Sequence, residues 1–166
     1  CEAFRIQDNC NFISVMPTNL YGPMDKFDDH NGHVPAALLN RFHLAKINNL
    51  PKVIVWGSGT PLREFLYVDD LADACVFLAE NYNSAQIINV GSGYEISIKK
   101  FANLIKEIVG YKGKIIFDSS KPDGMKRKML NSEKIKKIGW KPRISLKKGL
   151  KLFYKWYLNN QNILRK

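Results

Sequence analysis

Val55-Trp56-Gly57-Ser58-Gly59-Thr60-Pro61-Leu62-Arg63-Glu64-Phe65-Leu66-Tyr67-Val68-Asp69-Asp70 joins two strands, a turn and a helix start in one run. The apolar segment Val53 to Trp56, bracketed by Pro51 and Gly57, reads as a short strand, and Gly57-Ser58-Gly59-Thr60-Pro61 then forces a turn. Phe65 to Val68 alternate poorly but are aromatic and β-branched, as in a buried strand. Asp69 and Asp70 read as the cap of a helix whose apolar face is Leu71, Ala74, Cys75 and Leu78, spaced i, i+3, i+4 and i+7. Arg63 therefore sits at the mouth of a turn, where its donors suit a diphosphate or carboxylate and Trp56 offers a flat surface for a ring. The spacing alone is equally compatible with a surface arginine and a core tryptophan.

Working outward, Phe12 to Met16 reads as a strand ended by Pro17, and Pro17-Thr18-Asn19-Leu20-Tyr21-Gly22-Pro23 as the loop beyond it. In an open α/β sheet ligands meet such carboxyl-end loops, so this loop is a candidate cofactor edge. An acidic loop, Met24 to Gly32, ends at His33, and Val34 opens a helix with Pro35 in its first turn. Histidine at a helix entrance suits a proton acceptor better than a donor, and also suits a simple cap. Ile87 to Val90 is a third strand, followed by the turn Gly91-Ser92-Gly93 and a helix, Ile98 to Val109, capped by Ser97. Lys114 to Phe117 is a fourth strand, and Asp118 to Arg127 a loop. Asn131 or Ser132 caps a short helix ended by Gly139. Ser145 opens the last helix, with Leu146, Leu150, Phe153, Trp156 and Tyr157 as its stripe. Repeated strand, turn and helix make the fold class α/β.

The 166 residues, 45% hydrophobic and 25% charged, suffice for a sizeable core, and no run approaches the ~18 apolar residues of a membrane span. A net charge of +11 invites nucleic acid as a partner. The lysines, however, spread over amphipathic helices of the last third instead of forming one aromatic-interleaved face, which argues against it. Cys1, Cys10 and Cys75 make neither a disulfide framework nor a zinc spacing, so no metal is expected and a reducing cytoplasm fits best. Gly91-Ser92-Gly93 lacks the third glycine of a dinucleotide fingerprint, and neither G-x-G-x-x-G nor a P-loop occurs elsewhere.

Met16 to Pro23, Arg63 to Asp70 and Ile88-Asn89-Val90-Gly91-Ser92-Gly93 together resemble the extended short-chain dehydrogenase/reductase family of nucleotide-sugar enzymes. A narrower likeness is to the branch that epimerises and reduces GDP-4-keto-6-deoxy-D-mannose. It rests on Asn31-Gly32-His33-Val34, Leu39-Asn40-Arg41-Phe42-His43, Val55 to Pro61, and Tyr111-Lys112-Gly113 leading to Phe117 to Gly124. The resemblance implies the remainder of an NAD(P)-binding Rossmann fold plus a smaller α/β substrate-binding lobe. Residues 1–32 would be the last part of the cofactor domain and 33–166 mainly the substrate lobe, with about 65–90 returning to the Rossmann sheet.

It further implies NADP(H) as cofactor, 3,5-epimerisation and 4-reduction as the reaction, and a cytoplasmic homodimer as the complete enzyme. His33 matches the family's catalytic histidine. Pro17, Thr18, Asn19, Leu20 and His33 match contacts to the nicotinamide end, and Arg41, Trp56, Arg63, Asp123 and Lys128 match substrate contacts. The family's glycine-rich turn, Tyr-x-x-x-Lys pair and reactive cysteine are absent from this sequence. The expectation is therefore a carboxyl-terminal half that begins mid-fold and is inactive alone. A nucleotide-sugar-binding piece without catalysis, or a different nucleotide-sugar epimerase or dehydratase, are the alternatives.

Overall fold

The computed structural model describes residues 1–28 and 32–164. Asp29, His30 and Asn31, part of the expected acidic loop, lie outside the described residues, so the Asn31 portion of the motif there receives no structural account. The described elements run α1 (Glu2–Asp8), β1 (Val15–Pro17), β2 (Asn19–Tyr21), α2 (Val34–Ile47), β3 (Lys52–Trp56), β4 (Leu62–Tyr67), α3 (Val68–Asn81) and β5 (Ile88–Val90). They continue with β6 (Glu95–Ser97), α4 (Ile98–Val109), β7 (Lys114–Asp118), β8 (Arg127–Lys128), α5 (Glu133–Lys137) and α6 (Leu146–Asn159). Mixed helices and mainly parallel strand pairs make the protein α/β.

Strand β4 is the hinge of the pairing. Its first half, Leu62 to Glu64, pairs antiparallel with β6 and, through Leu62 and Arg63, parallel with β8. Its second half, Phe65 to Tyr67, pairs parallel with β2. Two further parallel pairs are β1 with β5 and β3 with β7. Because successive side chains of a strand point to opposite faces, Phe65 and Tyr67 join one apolar cluster, with α2, α4 and α6, while Leu66 joins another with Ala74, Leu78, Ile88 and Val90. All three are buried, which explains why this segment shows no alternation in the sequence. Each such burial contributes about 1.5–3 kcal/mol before conformational entropy is set against it.

Helix α4 forms as its sequence dictates. Ser97 Oγ accepts the Lys100 N–H at 3.2 Å, Gly110 closes the helix in the left-handed region at φ 75°, and Phe101, Ala102, Ile105 and Val109 bury one face. Ser145 caps α6 in the same way, accepting from Lys148 N at 3.4 Å, with Leu150, Phe153 and Tyr157 buried and Leu146 and Trp156 half-buried against them.

Several expectations are corrected. The first strand covers Val15–Pro17, so Pro17 belongs to it, and the expected loop to Pro23 contains β2. Asp69 and Asp70 do not cap α3. Its N-cap is Tyr67, without a side-chain bond, and both aspartates lie in the first turn. The buried Asp70 instead accepts the backbone N–H groups of Arg143 and Ile144 at 3.1 and 3.0 Å, tying the α5–α6 connection to α3. Cys75 is exposed, since three apolar positions, Leu71, Ala74 and Leu78, already fill that side of the helix. At α5 the N-cap is Ser132, one of the two expected residues, but among the described residues its buried hydroxyl makes no bond, and Asn131 Oδ1 accepts from Glu133 N at 3.0 Å.

Candidate functional site

The carboxyl ends of β1, β2 and β4 open into a cavity of about 480 Å³, within the usual range of small-molecule sites. Thr18, Asn19, Leu20, Asp25, His33 and Arg63 are among its walls. Thr18 is held by its N–H on Val90 O at 3.0 Å, and the Asn19 side-chain amide donates to Glu64 O at 2.8 Å. Tyr21, a buried lining residue, has its phenol pushed up from the ordinary value by burial, then by Tyr67 and Asp70. Pro17 is not among the lining residues; it ends the strand that delivers Thr18.

His33 stands at the N-cap of α2 with its side chain exposed, and its Nδ1 lies 3.2 Å from Asp25 Oδ1. A carboxylate accepts only, so Nδ1 carries the hydrogen in this pair. Asp25 is delivered by a turn in which its N–H bonds Gly22 O at 3.4 Å, with Pro23 second and Met24 third. Met24 holds φ 66°, the left-handed region where glycine is usual in such a turn.

A second cavity, of about 230 Å³, is walled by Arg41, Trp56, Arg63 and Asp123 together with Val34, Leu38 and Val55. Val34 and Arg63 line both cavities, so the two are contiguous. Trp56 is 50% exposed, which excludes the core alternative: in β3 it alternates with the buried Val53 and Val55. Lys121 Nζ lies 5.7 Å from its ring centroid. Arg63 Nη1 donates to Leu62 O at 2.8 Å and Nη2 to Asp123 O at 3.5 Å; Arg41 Nη1 donates to Ile54 O at 2.7 Å. Lys128 lines neither cavity, but its Cα is the β8 register partner of Arg63.

The sequence did not disclose two carboxylates that shape this region. Asp25 lies eight residues before His33, and only the turn at Met24 brings it round. Glu64 is fully buried: its Oε1 accepts Gly93 N at 2.7 Å and its Oε2 accepts Leu130 N at 3.0 Å. The Gly91-Ser92-Gly93 turn thus spends a donor on an internal carboxylate, and a Cβ at Gly91 would meet Glu64 Oε1 at 2.5 Å. A cluster of acidic and histidine side chains able to hold a metal ion does not occur among the described residues. Nor is any described helix long and apolar enough to cross a membrane.

Parallel strands with a cavity at their carboxyl ends, walled by both apolar and cationic side chains, define an α/β protein with a candidate ligand site at its strand ends. The model of the NAD dependent epimerase/dehydratase family matches residues 1–91, and the chain belongs to that family. The chain is 54% identical over 160 residues to GDP-L-fucose synthase 1 of Arabidopsis thaliana, covering 96% of this chain and 50% of that protein. To the GDP-L-fucose synthase of Escherichia coli it is 47% identical over 174 residues, covering 99% and 54%. Among solved structures, the NADP-bound GDP-L-fucose synthetase from Naegleria fowleri superposes with a TM-score of 0.92 at 32% identity, over 99% of this chain and 52% of that one. The chain spans about half the length of the curated relatives it matches.

Proposed function

We propose that this chain supplies the substrate wall and the nicotinamide edge of a GDP-L-fucose synthase, which converts GDP-4-keto-6-deoxy-D-mannose to GDP-L-fucose with NADPH. The observation that carries the reading is the contiguity of the two cavities through Arg63. A nucleotide sugar laid across them would have its diphosphate beside Arg63 and Arg41, its base near Trp56 and Asp123, and its sugar near His33. Arginines suit a diphosphate because their donors form a fixed fork and stay charged. Lys128 adds a cation beside Arg63 in the register.

Inversion at the two carbons flanking the ketone needs one group to take a proton and another to return one on the opposite face. His33 is assigned one of those roles, acting through Nε2 because Nδ1 faces Asp25. The strand-end wall of Thr18, Asn19 and Leu20 fits the nicotinamide end of NADP(H), being a mostly apolar surface with a few polar atoms. When bound, NADPH supplies the hydride that reduces the ketone. The change of β4 partners between Glu64 and Phe65 supports dividing the chain into a cofactor part, with residues 65–90 in its sheet, and a substrate part from residue 33. A homodimer is proposed for the complete enzyme on the resemblance alone.

A wider reading, in which the sugar differs while the GDP is kept, has one observation in its favour. The GDP-6-OMe-4-keto-L-xylo-heptose reductase from C. jejuni superposes with a TM-score of 0.88 at 34% identity. Calorimetric titration with a GDP-sugar and a UDP-sugar tests the nucleotide assignment. Preference for the GDP-sugar is expected, and equal binding of the two contradicts it.

A further inference from the structure

We propose that Asp25 is a positioning residue for His33, restricting its proton exchange to Nε2; the proposal rests on the assignment of His33 as a proton-transfer group. Three observations converge. Asp25 Oδ1 lies 3.2 Å from His33 Nδ1 and also accepts the Lys26 N–H at 2.8 Å. The Asp25 side chain is only 10% exposed whereas that of His33 is 80% exposed, so the fixed member of the pair is the carboxylate. The turn that places it holds Met24 at φ 66°, a conformation that strains a non-glycine residue and persists only where its surroundings impose it.

Among the described residues, Asp25 Oδ1 bonds one backbone N–H and one imidazole, so His33 is the side chain this carboxylate orders.

The proton bookkeeping closes. As a base, His33 Nε2 takes the proton from the carbon beside the ketone, leaving an enolate and an imidazolium. As an acid, the imidazolium returns a proton from Nε2 to the enolate carbon and becomes neutral again. In both directions the Nδ1 hydrogen stays on Nδ1 and Asp25 stays a carboxylate. Without Asp25 the neutral ring is free to carry its hydrogen on Nε2, and in that tautomer Nε2 cannot accept a proton.

Long-range proton–nitrogen correlation on the full chain, labelled with nitrogen-15 in its histidines, reads the tautomer directly, with His33→Gln assigning the resonance. The native chain is expected to hold neutral His33 as the Nδ1–H tautomer, and Asp25→Ala, which removes the acceptor oxygen that an asparagine would keep beside the Lys26 N–H, to release it toward Nε2–H. A native Nε2–H tautomer, or no change in Asp25→Ala with an unchanged melting temperature, overturns the proposal. A second arm follows solvent deuterium entering the sugar in the assembled enzyme. There Asp25→Ala is expected to lower kcat roughly tenfold to a hundredfold, as loss of an orienting partner does elsewhere, with KM unchanged. Deuterium entry that His33→Gln abolishes but Asp25→Ala leaves at the native rate overturns the positioning role and keeps the assignment of His33. Absence of deuterium entry in the native enzyme overturns the assignment of His33, while the tautomer arm still decides whether Asp25 orders the ring.

Discussion

Asp123 grips Ser58 with both carboxylate oxygens: Oδ1 accepts the Ser58 N–H at 2.6 Å and Oδ2 accepts its hydroxyl at 2.7 Å. The hydroxyl in turn accepts the Thr60 N–H at 3.1 Å, so one aspartate from a long loop orders the whole turn between β3 and β4. Arg63 reaches Asp123 O from the other side of that turn. Asp123 thus ties the turn that follows Trp56, through its carboxylate on Ser58, to Arg63, through its backbone carbonyl.

Gly57→Ala should unlock this arrangement. Gly57 has φ +83°, and a Cβ there would meet Asp123 Oδ1 at 2.3 Å. Left-handed strain plus displacement of the carboxylate should cost about 1–3 kcal/mol. Urea unfolding would show it as a lower midpoint at unchanged slope; a midpoint equal to the native one contradicts the close approach.

Glu64→Gln tests the buried carboxylate. One amide oxygen can replace only one of the two acceptor oxygens, so the N–H of either Gly93 or Leu130 would face the amide NH2, a donor. Leaving a buried donor unsatisfied should cost about 1–3 kcal/mol, again read by urea unfolding. Stability within experimental error of native would show that these two bonds are not worth making.

Histidine 43 gives the chain an acid-side sensitivity. Burial, and then Lys46, lower its pKa from the ordinary value of 6.5 while its Nδ1 stays 3.1 Å from the Tyr154 hydroxyl. The unfolded chain then binds a proton at a pH where the folded one does not, so the contribution is present above pH 6.5 and is lost as pH falls toward the lower folded value. Unfolding midpoints should drop from pH 7.5 to pH 5.5, and His43→Phe, which keeps a ring beside Tyr157, should flatten that drop. An equal drop in the variant assigns the sensitivity elsewhere.

Much of this was legible in the sequence where a local signal decides the structure. Ser97 announced the start of α4, and Pro35 behind His33 announced α2. Elements whose only support is distant pairing were hidden. Asn19-Leu20-Tyr21 is a strand because Phe65 to Tyr67 lie beside it, and its flanking proline and glycine residues spell a loop. Glu95-Ile96-Ser97 is likewise completed by β4. At the site, arginine and tryptophan announced themselves by residue type, whereas Asp25 and Glu64 owe their importance to where a turn and a buried strand deliver them. Residue type also suggested aspartates as the cap of α3, but Asp70 found better-placed donors at Arg143 and Ile144.

Ligand-dependent melting should be asymmetric. The proposed nucleotide-sugar wall is within the chain, whereas a complete glycine-rich dinucleotide turn is absent from its sequence and the Gly91–Gly93 turn already serves Glu64. By ligand linkage, GDP should raise the melting temperature more than NADPH at equal concentration. A larger rise with NADPH contradicts this division of binding.

The central claim is that Arg63 joins two cavities into one GDP-sugar site, and calorimetric titration of GDP into the native chain and into Arg63→Lys tests it most directly. Lysine keeps the charge but loses the fork of donors, and loss of a charge-assisted bond pair is worth about 1.5–3 kcal/mol. The native chain is expected to bind GDP, and the variant, equally folded by circular dichroism, to bind it roughly tenfold to a hundredfold more weakly. Equal affinity in the two proteins, or no binding of GDP to the native chain, would contradict that claim.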